Sequence, residues 1–300
     1  MPQLLKTVLG KAAKWLLILL CLSIVPVALF RWVPVPGSMI MVERWVQARM
    51  DGTPITLQHQ WKPYREIPDS MKMAVIAAED QNFAHHHGFD LAAIRAAVAH
   101  NRQGGRLRGA STISQQTAKN VFLWSGRSWP RKALEAWYTL WIELIWPKQR
   151  ILEVYLNVAE WDHGVFGVEA AAQHHFGRGT SYLSTQQAAT LAAVLPNPRN
   201  WSASQPPAHV QRRAQWIQRQ MNQLGGPHYL REMEKGREWS RPDWLRMPDV
   251  RAWLSDSGSL PKPEHDGMRL FVADRHGRTN AMVNPGFAAG DVQTHVRISQ

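Results

Sequence analysis

The sixteen residues Trp15–Phe30, WLLILLCLSIVPVALF, carry no charge and lie between Lys14 and Arg31; no other feature constrains the fold of this chain as strongly. Too little chain precedes the run to cover it as a core helix, so lipid is its expected surrounding. At about 1.5 Å per residue it spans roughly 24 Å, and Ala12, Ala13, Trp32, Val33 and snorkelling basic ends extend it enough to cross the apolar slab. Pro26 is expected to kink the helix without preventing insertion. Lys6, Lys11 and Lys14 precede the run and no acid does, which places the N-terminus in the cytoplasm and everything after Arg31 outside. A cleaved signal peptide has the same basic start and apolar middle, but no A-x-A site closes this one.

The remaining text reads as mainly α. Pro34, Pro36 and Gly37 break the chain, and Ser38 is placed to cap MIMVERWVQARM, where apolar and basic residues interleave, so this stretch suits either the membrane surface or the flank of a domain. The expected organisation is a tail and transmembrane anchor over 1–33, a membrane-proximal segment over 34–60, a helical domain over 61–224 and a C-terminal extension over 225–300. Within the domain, MKMAVIAAED is an apolar helix with its acids at the end, Asp90 caps LAAIRAAVAHN, and Ser111 or Thr112 starts another helix. Pro130 suits the first turn of a helix whose stripe of Leu134, Trp137, Trp141, Leu144 and Ile145 reads as core. KQRILEVYLN and VEAAAQHHFG continue the pattern, and Ser184 with Gln187 forms a capping box that opens STQQAATLAAVL. RLFVADRHGRTNAMV, far along the tail, reads as a short hairpin at most.

Charge narrows the partners. Thirty-five Lys and Arg against 23 Asp and Glu give a net charge of +12, which points to phosphate, nucleic acid or a membrane surface. Nucleic acid is disfavoured by the extracytoplasmic placement and by the lack of any recognition motif. The lone Cys21 excludes an intramolecular disulfide and a thiolate zinc site.

Three segments carry candidate chemistry. In EDQNFAHHHGFD, Glu79 and Asp80 end the most apolar helix, where burial would raise a carboxyl pKa toward that of a useful base. In GASTISQQTAKN, small residues feed a helix start that offers amides and hydroxyls to an anion, with Lys119 two turns on; the Gly-rich GxxxxGK[ST] spacing is absent, so nucleotide binding is not expected. In RKALEAWY, Arg131 and Lys132 lie four and three residues before Glu135 on one helix face.

In this order and spacing the three segments resemble the signature motifs of the family 51 glycosyltransferases, the peptidoglycan glycosyltransferases that polymerise lipid II. EDxxFxxHxGxD is matched by Glu79, Asp80, Phe83, His86, Gly88 and Asp90. GxSTxxQQxxKN is matched by Gly109, Ser111, Thr112, Gln115, Gln116, Lys119 and Asn120. RKxxE is matched by Arg131, Lys132 and Glu135, and KxxILExYLN by Lys148, Ile151, Leu152, Glu153, Tyr155, Leu156 and Asn157. The likeness runs from about Trp61 through LPNP, Leu195–Pro198, to the WIQRQM stretch ending at Met221.

The resemblance implies a lysozyme-like helical glycosyltransferase domain on an N-terminal transmembrane helix, in the bacterial inner membrane with the catalytic domain periplasmic. It makes Glu79 the general base toward the acceptor hydroxyl and Glu135 the second catalytic carboxylate. Lys119, Arg131 and Lys132 are expected to face the diphosphate, and Asp80, Phe83, His86, Ser111, Thr112, Gln115, Gln116 and Asn120 to bind substrate. Implied partners are lipid II, the lipid-linked nascent glycan, membrane phospholipid and cell-wall synthesis proteins. No cofactor is required, with a divalent cation (Mg or Mn) near the diphosphate as the one option. A lysozyme-like hydrolase is the competing activity, since the two-carboxylate logic serves both.

Asp162 stands where the family usually has Gly, His175 where Tyr is common, and Gln187 where Glu is common. His85, His86, His87, His163, His174 and His175 invite a metal reading, but adjacent histidine side chains seldom converge, so no metal site is expected. SLPK, Ser259–Lys262, matches a penicillin-binding S-x-x-K by letter; no lysine follows it, so K-T-G cannot, and a transpeptidase is not expected.

Overall fold

A computed structural model describes residues 2–53, 55–102 and 110–235, with side chains for all of these but 2–9, 12, 13, 16, 101 and 102. Gly109, SLPK, the expected hairpin and most of the 225–300 extension lie outside the described residues. The chain is mainly helical: α1 (Pro2–Leu29), α2 (Met39–Met50), β1 (Gln58–His59), α3 (Asp69–Glu79), α4 (Leu91–Arg102), α5 (Ile113–Phe122), α6 (Trp129–Ile145), α7 (Lys148–Val158), β2 (Glu160–Asp162), β3 (Val165–Phe166), α8 (Val168–Phe176), α9 (Thr185–Val194), α10 (Ala208–Gln223) and α11 (Pro227–Glu234). The short strands form one sheet in the order β1-β3-β2, parallel between β1 and β3 and antiparallel between β3 and β2.

Side-chain caps set several helix starts, as their sequence predicts. Ser38 Oγ accepts from the Met41 amide, Asp90 Oδ1 from Ala93, and Ser184 Oγ from Gln187, whose own side chain returns the bond. Thr112, rather than Ser111, caps α5 in a capping box with Gln115. The start of α6 uses Ser128, a cap the sequence reading did not name, ahead of Pro130 in the first turn.

α3 is the centre of the core. Every residue from Met71 to Ala77 is buried, because α9 and α10 pack against it and α11 lies across it. α11 falls beyond the expected domain end at Leu224 and buries Tyr229, Leu230 and Met233 in the same core.

One expectation needs correction. Of the stripe Leu134, Trp137, Trp141, Leu144 and Ile145, Trp141 and Ile145 pack partly buried against the core, Leu134 and Trp137 are partly buried outside it, and Leu144 is exposed. Part of this side of α6 meets α1, where Trp137 Nε1 donates to Ser23 Oγ at 3.1 Å. The face of α6 that turns inward carries Arg131, Glu135, Thr139 and Ile142, so a polar row occupies the buried side.

α1 docks its C-terminal end on the domain. Val27 is fully buried, Trp146 Nε1 donates to the Val27 carbonyl at 2.7 Å, and the Arg150 guanidinium donates to the carbonyls of Phe30 and Val33. Trp15, Leu17, Leu19, Leu22, Val25 and Leu29 are all exposed. Among the described residues no helix is long and apolar enough to cross a membrane.

Candidate active site

The first motif builds a frame before it builds a site. α3 ends at Glu79 because Asp80 leaves the helical region, at φ −160° and ψ 76°, and turns its carboxylate inward. Both Asp80 oxygens lie 2.9 Å from His86 Nε2, and Oδ2 also accepts the Ile113 amide at 2.9 Å, an otherwise unpaired donor in the first turn of α5. His86 Nδ1 accepts the Gly88 amide, so the imidazole proton sits on Nε2 and points at Asp80. Thr112 Oγ1 donates to the Gly88 carbonyl at 2.7 Å. Gly88 itself has φ +87°, and a Cβ there would lie 2.7 Å from Thr139 Cγ2, so this turn admits only glycine.

These bonds lock the end of α3 to the start of α5. Asp80, Phe83, His86, Thr112 and Gln115 are all at least nine-tenths buried. They were expected to bind substrate; in the structure Asp80, His86, Thr112 and Gln115 bond to one another and to nearby backbone, and Phe83 packs in the core under Lys148. Ser111 is exposed and Asn120 partly buried.

Glu79 stands at the edge of this frame with its side chain 15 % exposed. Gln116 Nε2 donates to its Oε2 at 2.9 Å, and an Arg213 nitrogen lies 3.5 Å from its Oε1. Gln116 is in turn held by the Tyr155 hydroxyl, which donates to its Oε1 at 3.3 Å. Burial pushes the Glu79 carboxyl above its ordinary range, and Arg213, Gln116 and Lys119 counter only part of that. Arg213 was missed in the sequence. It comes from α10, and its charge among several in QRRAQWIQRQ carries no local signal; only packing of α10 on α3 brings it to Glu79.

Across from Glu79 lies a cationic cluster. Arg131 and Lys132 occupy the first turn of α6, the end where the helix dipole already favours anions. Glu135 holds both, Arg131 at 2.8 Å on Oε2 and Lys132 on Oε1. Lys119 projects from α5 and is half-buried without a hydrogen bond or ion pair among the described residues. Burial lowers its pKa first; Glu135 and Glu79 pull it up, and Arg131 and Lys132 push it down, so Lys119 lies within electrostatic reach of all four. Both Glu135 oxygens are committed to cations, and among the described residues no set of carboxylates and imidazoles gathers there. The positive charge described at this end is that of the lysine and arginine side chains.

The positions that depart from the family pattern also have a place. Asp162 and His175 face each other, Oδ2 to Nε2 at 3.4 Å, and Gln187 serves as the capping-box partner of Ser184.

A helical domain that keeps one acid hard to ionise beside a cluster of lysine and arginine has the groups that transfer from an anionic substrate calls for. The transglycosylase family model matches residues 49–222, and the chain belongs to that family. It is 60 % identical over 242 residues to the biosynthetic peptidoglycan transglycosylase of Stutzerimonas stutzeri, covering 81 % of this chain and all of that one. The protein of the same name from Pseudomonas aeruginosa is 59 % identical over 232 residues, 77 % of this chain and all of its own. That of Pseudomonas fluorescens is 62 % identical over 224 residues, 75 % of this chain and 92 % of its own.

Proposed function

We propose that this chain is a peptidoglycan glycosyltransferase that polymerises glycan strands from lipid II by inverting, general-base catalysis. The observation that carries the reading is the placement of an unpaired, half-buried Lys119 among Glu79, Glu135, Arg131 and Lys132. A cleaving enzyme needs two carboxylates and a water; it has no use for a cation held without a partner at substrate depth.

Glu79 takes the proton of the acceptor sugar's 4-hydroxyl on its more loosely held oxygen, Oε1, while Gln116 and Tyr155 fix the other side of the carboxyl group. The hydroxyl oxygen attacks C1 of the donor sugar from the face opposite the leaving group, the C1–O bond breaks, and the diphosphate departs with the bonding electrons. That leaving group is already anionic, so fixed cations serve it better than a general acid. Lys119 supplies an unspent point charge, and Arg131 and Lys132 add theirs at the positive end of α6. Glu135 acts on these cations, keeping Arg131 and Lys132 oriented, rather than on the reacting atoms.

The membrane reading joins this one. The exposed apolar side chains of α1 continue into Trp32 and Val33, and Met39, Val42, Trp45, Val46 and Met50 of α2 are exposed as well. Such a surface suits an N-terminal anchor crossing the inner membrane, with α2 at the lipid boundary and the domain on the periplasmic side. The anchored site then meets a substrate whose diphosphate sits at the headgroup level.

The purified full chain in detergent, given lipid II, should produce long glycan strands, and Glu79→Gln should not. Release of soluble fragments from preformed sacculi, with lipid II left intact, would assign the domain to hydrolysis.

A further inference from the structure

We propose that Asp162, His174 and His175 form a binding site for a zinc-like divalent transition metal that ties β2 to α8. The site lies on elements that supply none of the transfer-site groups.

The geometry converges on one point. His174 Nε2 and His175 Nε2 lie 3.6 and 3.4 Å from the same oxygen, Asp162 Oδ2, and each of the three residues offers a ligand atom within 4.8 Å of those of the other two. Around tetrahedral zinc, with bonds of roughly 2.0–2.1 Å, neighbouring donor atoms sit about 3.4 Å apart, so two of the three edges are already near the required length. Closing the third asks for a small movement of one ring. His174 is the one free to move: its side chain is 39 % exposed, against 1 % for His175.

Adjacent histidines on a helix normally diverge by about 100°, which is why the sequence gives them no metal role. Here their ring planes stand 86° apart with centroids at 4.9 Å, and both rings reach Asp162 from α8 while β2 brings the carboxylate to them. The support around the ligands fits the same reading. The His163 amide donates to Asp162 Oδ1 at 2.6 Å, which leaves Oδ2 turned to the imidazoles. His175 is buried, yet neither ring nitrogen makes a well-formed hydrogen bond; its polar neighbours are the Asp162 carboxylate and the Trp161 backbone. A buried imidazole in that condition is costly unless something accepts its lone pair. Two imidazoles and one carboxylate suit zinc in preference to magnesium or calcium, and the exposed side at His174 leaves room for water as a fourth ligand.

The test is calorimetric titration of the chelator-stripped full chain in detergent with zinc chloride, and with magnesium chloride as control. Wild type should bind one zinc per chain at this site and leave magnesium unbound there. Asp162→Asn and His174→Ala, both at partly exposed positions, should each weaken that event at least tenfold while keeping the metal-free melting temperature. A second reading uses Co2+, whose visible absorption should show a low-coordinate nitrogen and oxygen site in wild type and lose it in both variants. Zinc binding of equal strength and stoichiometry in wild type and both variants would place the metal among other histidines and overturn the proposal, as would no binding at all.

Discussion

Replacing Glu79 by glutamine keeps the size of the side chain and an oxygen for the Gln116 amide, and removes the group that accepts a proton. General-base catalysis is worth about 10²–10⁴-fold, or roughly 2.7–5.4 kcal/mol of barrier, so Glu79→Gln should lose at least a hundredfold in glycan-forming turnover. The same burial that makes Glu79 a base makes it a burden on the fold. Its carboxyl is raised in the folded state above the unfolded value, so the folded protein binds more protons in the interval between them, and stability falls as pH rises through that interval. At neutral pH Glu79→Gln should therefore melt at a higher temperature than wild type. The gain should vanish at a pH below the ordinary carboxyl range, where the acid is protonated in both states. Activity has the opposite slope: kcat/KM in wild type should rise with pH through an acid limb above the ordinary glutamate range. Arg213 lowers that pKa, so Arg213→Met should move the limb to still higher pH. The assays are polymerisation of labelled lipid II and thermal unfolding, each across pH. A Glu79→Gln enzyme with more than a tenth of wild-type turnover, or one less stable than wild type at neutral pH, would refute the assignment of a desolvated base.

Lys119→Met should raise KM and cut kcat/KM by about 10–150-fold, the worth of one hydrogen bond to a charged group, without loss of melting temperature because no internal partner is given up; steady-state kinetics and unfolding together check it. Glu135→Gln strips the counter-charge from Arg131, which is 8 % exposed, and should destabilise by about 2–4 kcal/mol, at the lower end of a broken buried pair because Lys132 reaches solvent; denaturant unfolding reads this directly. Gly88→Ala should cost about 1–3 kcal/mol from its positive φ and the clash with Thr139 Cγ2. Adding Thr139→Ser should recover the steric share alone, which a double-mutant cycle measures.

How several helices begin was open to inspection in the amino-acid text, because capping is local: Ser38, Asp90, Pro130 and Ser184 with Gln187 act within one turn of themselves, while the choice of Thr112 over Ser111 and the Ser128 cap came only with the structure. The three motifs were readable for the same reason, as fixed spacings along single helices and turns. Local spacing also suggested a pair in Arg131 and Glu135, yet it could not say that the pair faces inward, since a helix bearing both an apolar stripe and a polar row buries whichever its neighbours cover. α1 covers part of the tryptophan side of α6, so the polar row faces inward. Within the first motif packing likewise separates neighbours: Asp80 and His86 share a pattern with Glu79, but Asp80 turns into the protein while Glu79 stays at the edge of the frame. Arg213 reaches Glu79 across 134 residues of chain, and Asp162 meets two histidines from another element. Such encounters depend on how distant helices and strands pack, a property of the whole molecule that no stretch of sequence contains by itself.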